Sequence, residues 1–441
     1  MPSANVTAAV APDQCAHFLY LRHDAVGDVA QTDSLVLVRV TRDSFECRPV
    51  YSRENLHIDW RPVGVSRGKL YGVKLGALVA IDLETGTAVE LDRGIQSFEL
   101  TKAGLYAFVR QPAGDPVLRE YDFKTEAYRD ISARAYSRIV PSKSGGVPPL
   151  RVAPDHKWLA YFCRSNSFIP SHMYQLHLVA VDSGELKTRD TWIRAREFIT
   201  GSGEVADGPP FAWLDSKTIL VVRDASKIPR SMMRVNVKPG QSPYAAEGGM
   251  PEFVLVRVDI ESGRMTDFCR LPKFEPEIGE PFFRAANGSE MPRLVLGRLG
   301  QYRVDLLQGC LVKDDGLGGG YRYRRRINSE ELLCDRVLLD RGRTIPEVAV
   351  APGGQGIVWQ VRPLIHLLRG SHVSTIRFHD AQSKSSHTVA TEWIPRAWDD
   401  RQRSFEGNLM WISAEDLKPA ASATAPSGWL RLLSQPDSSA R

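Results

Sequence analysis

Several things are scarce in this chain. No stretch approaches the roughly 20 consecutive apolar residues that a bilayer-spanning helix needs, which excludes such a helix. The six cysteines, Cys15, Cys47, Cys163, Cys269, Cys310 and Cys334, are widely scattered and form no C-x-x-C pair. Neither a zinc knuckle nor a thioredoxin-type centre is therefore signalled. Neither sign of charge dominates: 57 Lys and Arg against 52 Asp and Glu leave +5 over 441 residues. That is too mild for a dedicated nucleic-acid protein, although a local patch could still bind one. The 35 glycines and 28 prolines are too few for collagen or for a wholly disordered chain. Apolar residues at helical spacing are hard to find.

Residues 1–14 have no basic start and no apolar core, so no signal peptide is expected. Without an export signal, the expectation is a cytoplasmic protein with free thiols. Length alone suggests about three domains. The internal pattern argues for one.

What the chain does have is short apolar runs closed by Gly, Asp, Ser or Pro, the signature of strands and turns. Examples are Leu35–Val40, Ala77–Ile81, Thr218–Val222 and Phe253–Val258, and VLVRV stands at both 36–40 and 254–258. A longer repeat joins a strand, a Pro-containing turn and a second strand. It reads AAVAPDQCAHFLYLR at 8–22, LRVAPDHKWLAYFCR at 150–164 and VAVAPGGQGIVWQVR at 348–362. Proline suits such a turn because its φ is already fixed and no ladder donor is lost.

A second repeated element is a strand ending in an acidic turn. Asp82, Asp259 and Asp305 each begin Asp-x-x-x-Gly, and Asp122, Asp182 and Asp380 are read at the same place, with Thr41 in the first copy. An Asp there caps the turn by accepting backbone N–H groups, and Gly supplies the positive φ. Acids repeated at one position are turns, not catalysts.

These positions recur at 40 to 77 residues, the wider gaps holding insertions such as Ile169–Tyr174 and Asp224–Pro251. A period of roughly 40–50 residues with four short strands is that of a β-propeller. Seven units are counted, at 8–51, 58–92, 95–132, 146–192, 209–271, 280–315 and 344–393, with an incomplete eighth at 394–434. The fold expected is all-β, a propeller of seven or eight four-stranded blades, with eight favoured because the first unit has an inner strand of its own. In the seven-blade alternative a C-terminal segment completes or covers the first blade. The expected domain is 1–418, with 419–441 a linker and tail that docks on the ring or stays free.

The segment Ala153-Pro-Asp-His-Lys-Trp-Leu-Ala-Tyr161 and the following LHLVAVDSGELK at 176–187 resemble a known propeller repeat. It is that of the Tol-associated translocation protein B and of the N-terminal propellers of dipeptidyl and prolyl oligopeptidases. Ala153 stands where that pattern has Ser, and His156 where it has Gly. The resemblance implies a WD40-like β-propeller and is unspecific for function. The peptidases add an α/β-hydrolase domain after the propeller; nothing here offers its Ser, Asp and His.

Candidate chemistry is thin. Gly64-Val-Ser-Arg-Gly68 matches the nucleophile-elbow pattern, but a second strand follows where a helix is required, so a hairpin turn is expected. Gly316-Leu-Gly-Gly-Gly320 lacks the Lys-Ser/Thr of a P-loop and reads as a flexible loop. After it come Arg322, Arg324, Arg325 and Arg326, interleaved with Tyr321 and Tyr323. Arginine with tyrosine can bind phosphate and stack on bases. The plainer reading is a solvated edge strand, with Glu330, Glu331, Asp335 and Asp340 near enough to neutralise it. Ten histidines, including His172 and His177 and a loose group at His366, His372, His379 and His387, show no ligand spacing. No metal and no cofactor are assigned.

Inner strands line the channel of a propeller, so their polar residues are the candidate ligand contacts. These are Arg61, Arg284, Arg396 and Asp399, with Trp60, Trp213 and Trp398 on the same strand of their units. The plainer reading, and the favoured one, is that Trp and Arg fill the interfaces between blades. The expected function is a non-catalytic, protein- or peptide-binding scaffold. The alternative is a channel-centred enzyme or binder of a sugar, peptide or other small molecule. A weaker alternative is an acidic partner or nucleic acid held by the arginine stretch at 321–343.

Overall fold

In the computed structural model every strand pairing is antiparallel, and no α-helix occurs among the described residues. The description covers the blades and most short turns. Outside it lie 1–15, 133–148, 164–172, 226–251, 274–282, 363–370, 396–408, 419–429, 432–441 and shorter breaks.

Eight four-stranded blades form the ring. Blades 2 to 6 cover Trp60–Arg93, Ile95–Ser132, Arg151–Arg194, Phe211–Arg270 and Phe283–Lys313. Blade 7 runs from Gly316–Gly318 to Val337–Gly342, and blade 8 from Thr344–Val350 to Ser385–Pro395. Blade 1 has three strands from the N-terminal part, Ala16–Val26, Ala30–Val40 and Phe45–Glu54. Its inner strand is Met410–Ile412, which pairs His17 with Ile412 and Leu19 with Met410.

The number eight is as expected, but two of its parts differ. The segment at 394–434 is not a blade: its strand Met410–Ile412 closes the ring as the inner strand of blade 1. The inner strand expected at the start of the first unit, 8–51, falls among residues outside the description, which begins at Ala16. The additional blade is the seventh, at 316–342, where a glycine loop and an edge strand were expected. Gly316–Gly318 is its inner strand and pairs with Tyr321–Arg325. Beyond 418, Leu430–Arg431 pairs with Ala127 and Tyr128, adding a fifth strand to the outer edge of blade 3.

Burial follows strand position. The second strand is apolar on both faces because it is packed between neighbouring blades; Gly104–Val109 is buried throughout. The outer strand meets water, and Met265–Arg270 is mostly exposed. Seven apolar clusters each join two neighbouring blades. One pairs Phe162, Leu176 and Leu178 of blade 4 with Trp213, Val221 and Val256 of blade 5. Another closes the ring, with Phe18 and Val36 of blade 1 against Val358 and Ile376 of blade 8. Each fully buried Leu, Val or Phe in these seams contributes about 2 kcal/mol.

The turns explain the acidic repeat. Asp82 Oδ1 accepts the Glu84 and Thr85 amides at 2.9 and 2.8 Å, and Gly86 follows at φ 74°. Asp122, Asp259, Asp305 and Asp380 accept amides from the next residues in the same way. Asp182 does not hold this place. In blade 4 the turn bond runs from Gly184 N to Ala180 O, as Gly86 N bonds Asp82 O, so Ala180 stands at the position of the capping acid. Asp182, two residues later, is exposed.

In blades 2, 4 and 5 this turn is tied to the other hairpin of its blade. Leu83 N bonds Gly68 O, Val181 N bonds Lys157 O and Ile260 N bonds Lys217 O, at 2.8–2.9 Å. Both hairpins of each of these blades therefore share one rim of the ring.

Candidate functional site

On this hairpin rim, blades 4 and 5 enclose a cleft of about 350 Å³. Blade 4 supplies the Pro turn, with Asp155 and Lys157, then Trp158 and Leu178 on its strands and Lys187 and Arg189 on its outer strand. Blade 5 supplies Ser216 and Lys217 from its first hairpin and Ile260 and Glu261 from its second.

Local rules place each group. His156 sits at φ 58° and donates its amide to Ala153 O at 2.9 Å, which turns the chain after Pro154. Asp155 Oδ1 accepts the Lys157 amide at 3.1 Å, so this acid serves its own turn. Asp215 does the same for Lys217 at 2.8 Å. Lys187 Nζ lies 4.7 Å from the centre of the Trp158 ring, a cation–π contact. Arg189 Nε donates to Ile260 O at 2.6 Å and so pins the second turn of blade 5 against blade 4.

The lining carries four cations, Lys157, Lys187, Arg189 and Lys217, against two acids, Asp155 and Glu261. Glu261 faces Lys217 at 3.3 Å across an exposed pair, which is worth little in water. Lys187 meets Glu185 at 3.7 Å, outside the lining. The lining itself thus carries an excess of cations, of which Lys157 makes neither of these pairs, with an indole and the buried Leu178 and Ile260 as its apolar part. Sequence reasoning treated these segments only as turns. The signal was present in the Lys-Trp of Asp155-His-Lys-Trp158 and in Ser216-Lys217, but no spacing announces that two distant turns meet.

Of the channel candidates, Arg61 lies on the inner strand of blade 2 and Arg284 on that of blade 6. Their side chains fall outside the described residues, as do Arg396, Trp398 and Asp399 altogether. Trp60 is buried in the cluster between blades 1 and 2. Trp213 is buried between blades 4 and 5 and donates Nε1 to Arg151 O at 3.2 Å. Both described indoles are spent on blade packing.

The arginine stretch is the second strand of blade 7. Arg324 approaches Glu331 at 3.7 Å, and Arg341 from the outer strand meets the same carboxylate at 2.5 Å. Glu331 is buried, and Asp340 receives Arg377 of blade 8 at 3.0 Å. Arg324 is therefore paired within the ring. Arg322 is exposed; the Arg325 side chain and Arg326 lie outside the described residues.

Ser66 ends the first strand of blade 2, and Arg67 and Gly68, at φ 53° and 75°, turn directly into Lys69. Two left-handed residues make the tight hairpin expected there. His177 is buried and stacks on Tyr161, and burial holds the His379 imidazole below its ordinary value. Among the described residues no group of three or more His, Cys, Asp or Glu side chains is placed to hold a metal.

These blades define the chain as an eight-bladed β-propeller. No family model matches it, and no curated protein matches it by sequence. Among solved structures it is similar to an oligogalacturonate lyase in complex with manganese, with 12% identity, TM-score 0.37 and 85% of each chain covered. A putative 6-phosphogluconolactonase from Bacteroides fragilis shows 10% identity and TM-score 0.39 over 92% of this chain and 100% of that one. TolB from Acinetobacter baumannii shows 12% identity and TM-score 0.29 over 86% of this chain and 67% of that one. None of these likenesses bears on activity.

Proposed function

We propose that this propeller is a non-catalytic scaffold that binds a protein or peptide partner. The observation that carries the reading is the blade 4–5 cleft, which combines an indole, two aliphatic side chains and a charged rim on the surface made by the hairpins. Aromatic groups framed by charges are the usual anchors of protein recognition. The acids of the repeated turns support the same reading, since Asp82, Asp122, Asp259, Asp305 and Asp380 are occupied in holding backbone amides.

The test is affinity capture of the whole chain with chemical cross-linking and mass spectrometry. A stoichiometric partner cross-linked to the ring is expected. Turnover of a small molecule that Arg61→Ala or Arg284→Ala abolishes would overturn the reading.

A further inference from the structure

We propose that the cleft between blades 4 and 5 is the docking site for an acidic peptide segment, one that sets carboxylates on either side of an apolar or aromatic residue. The inference rests on the protein-binding reading above and names the chemistry of the partner.

Charge complementarity points first to an acidic occupant. Four cationic side chains face two acids, and one of those acids, Asp155, is turned back to the Lys157 amide. Lys157 and Lys217 stand exposed on the first hairpins of the two blades, one on each side of the cleft. A carboxylate arriving at each would complete pairs that Glu261 alone cannot. The half-buried Trp158 ring, backed by the buried Leu178 and Ile260, offers an apolar seat between them.

The openness of the cleft then favours a peptide over a small anion. Pockets for small ligands bury roughly 70–90% of the ligand. Here Asp155, Lys157, Lys217 and Glu261 are all exposed, so the walls are low. A small anion would also meet Asp155 and Glu261 without the means to avoid them. A chain laid across the rim can place its acids at Lys157 and Lys217 and its neutral residue between. The geometry is fixed from below, because Arg189 Nε holds Ile260 O at 2.6 Å and Lys187 is held on the indole.

The experiment uses the full chain and fluorescein-labelled short peptides of Glu and Asp with a single central Leu, Phe or Tyr, read by anisotropy. Basic counterparts, inorganic phosphate and ADP are run beside them. Acidic peptides are expected to bind, basic ones not, and binding is expected to weaken with salt. Lys157→Glu with Lys217→Glu changes two exposed residues and is expected to weaken binding by about tenfold or more. Lys313→Glu with Arg322→Glu, exposed on blades 6 and 7, is expected to leave it unchanged. The proposal fails if no acidic peptide binds, or if the Lys157/Lys217 pair does not matter. It also fails if only phosphate or ADP binds through those lysines, which would make this a small-anion site. A partner cross-linked equally well to the Lys157/Lys217 variant would sink this site while leaving the protein-binding reading intact.

Discussion

Trp411, on the inner strand of blade 1, donates its indole Nε1 to the carbonyl of Ala349 on the inner strand of blade 8, at 2.8 Å. The bond joins the last strand of the ring to the blade before it. The same ring sits edge-on to Phe18 of blade 1 at 5.6 Å and to Phe378 of blade 8 at 6.1 Å. One side chain from near the C-terminus thus clasps both sides of the closing seam.

Replacing that clasp tests the closure. Trp411→Ala removes the ring and its aromatic contacts and is expected to destabilise the fold by about 3 kcal/mol. Trp411→Phe retains most packing and loses the hydrogen bond, for about 1 kcal/mol. Urea denaturation curves measure both. Equal losses would mean that the indole's bulk contributes nothing to closure.

The closing strand also marks what sequence reading could reach. The Pro-turn copies and the Asp turns report local geometry, and blades 2 to 5 carry both apolar strand faces in plain view. Pairing partners are a different matter. Met410–Ile412 has the same local character whether it begins an eighth blade or completes the first, because its partner lies almost 400 residues away. Blade 7 was hidden for another reason. Its second strand, Tyr321–Arg325, alternates tyrosine with arginine, and its third begins Glu330-Glu331. Ion pairs of Arg324 and Arg341 with Glu331 stand beside the apolar contacts of Tyr321 and Leu332, so hydropathy sees a charged edge. Ala180 shows that a turn can keep its geometry after losing its acid. The cleft was illegible because Trp158 and Lys217 come together only when two blades stack.

Arg119 of blade 3 reaches Asp92 on the outer strand of blade 2, and also Asp130 of its own blade at 2.6 Å. Tyr121 donates to Asp92 as well, and its hydroxyl is pushed far above its ordinary value by burial and by that carboxylate. Asp92 is 19% exposed and Asp130 46%. Loss of the more buried partner leaves more uncompensated. Asp92→Ala is expected to cost about 3 kcal/mol, and Asp130→Ala about 1 kcal/mol. Thermal or urea unfolding of the two variants gives the comparison, and the reverse order would refute the argument.

Gly72, on the second strand of blade 2, lies against the Trp60 indole so closely that a Cβ would overlap the ring. Gly72→Ala must displace a buried side chain, at an expected cost of about 2 kcal/mol. Trp60→Leu opens that space while sacrificing burial of its own. The two substitutions together are expected to cost less than the sum of their separate effects, by at least about 1 kcal/mol. Strict additivity in the double-mutant cycle would show that the two sites do not meet.

Asp259 caps the second hairpin of blade 5, beside the proposed docking cleft. The Ser262 amide and then its hydroxyl hold the carboxyl below its ordinary 3.8. A lowered folded-state value means stability present above the ordinary value and lost as pH falls through the folded one. Because the group is open to water, Asp259→Asn is expected to cost only about 0.5 kcal/mol at neutral pH. The gap should narrow as the pH falls below 3.8 and the wild-type carboxyl protonates. Urea midpoints across that range measure it, and a gap that widens in acid would contradict the assignment.

The seam between blades 6 and 7 differs from the other seven. No apolar cluster spans it among the described residues; instead Arg293 of blade 6 meets Asp314 at 3.4 Å and donates to the Gly316 carbonyl at the start of blade 7. Asp314 Oδ1 in turn accepts the Gly316 amide at 3.0 Å. Polar bridges contribute less than buried apolar area, roughly 1 kcal/mol per hydrogen bond against about 2 per buried aliphatic side chain. This seam should therefore open first, and native-state hydrogen exchange would show it. Amides of Tyr321–Arg325 and Glu330–Cys334 are expected to exchange faster than those of Trp158–Cys163 and Thr218–Asp224 in the blade 4–5 seam. Arg293→Ala should widen the difference by accelerating blade 7 alone, because the Asp314 carboxylate then loses its counter-charge at the joint. Equal protection around the ring, or acceleration of every blade together, would show instead that the propeller opens only as a whole.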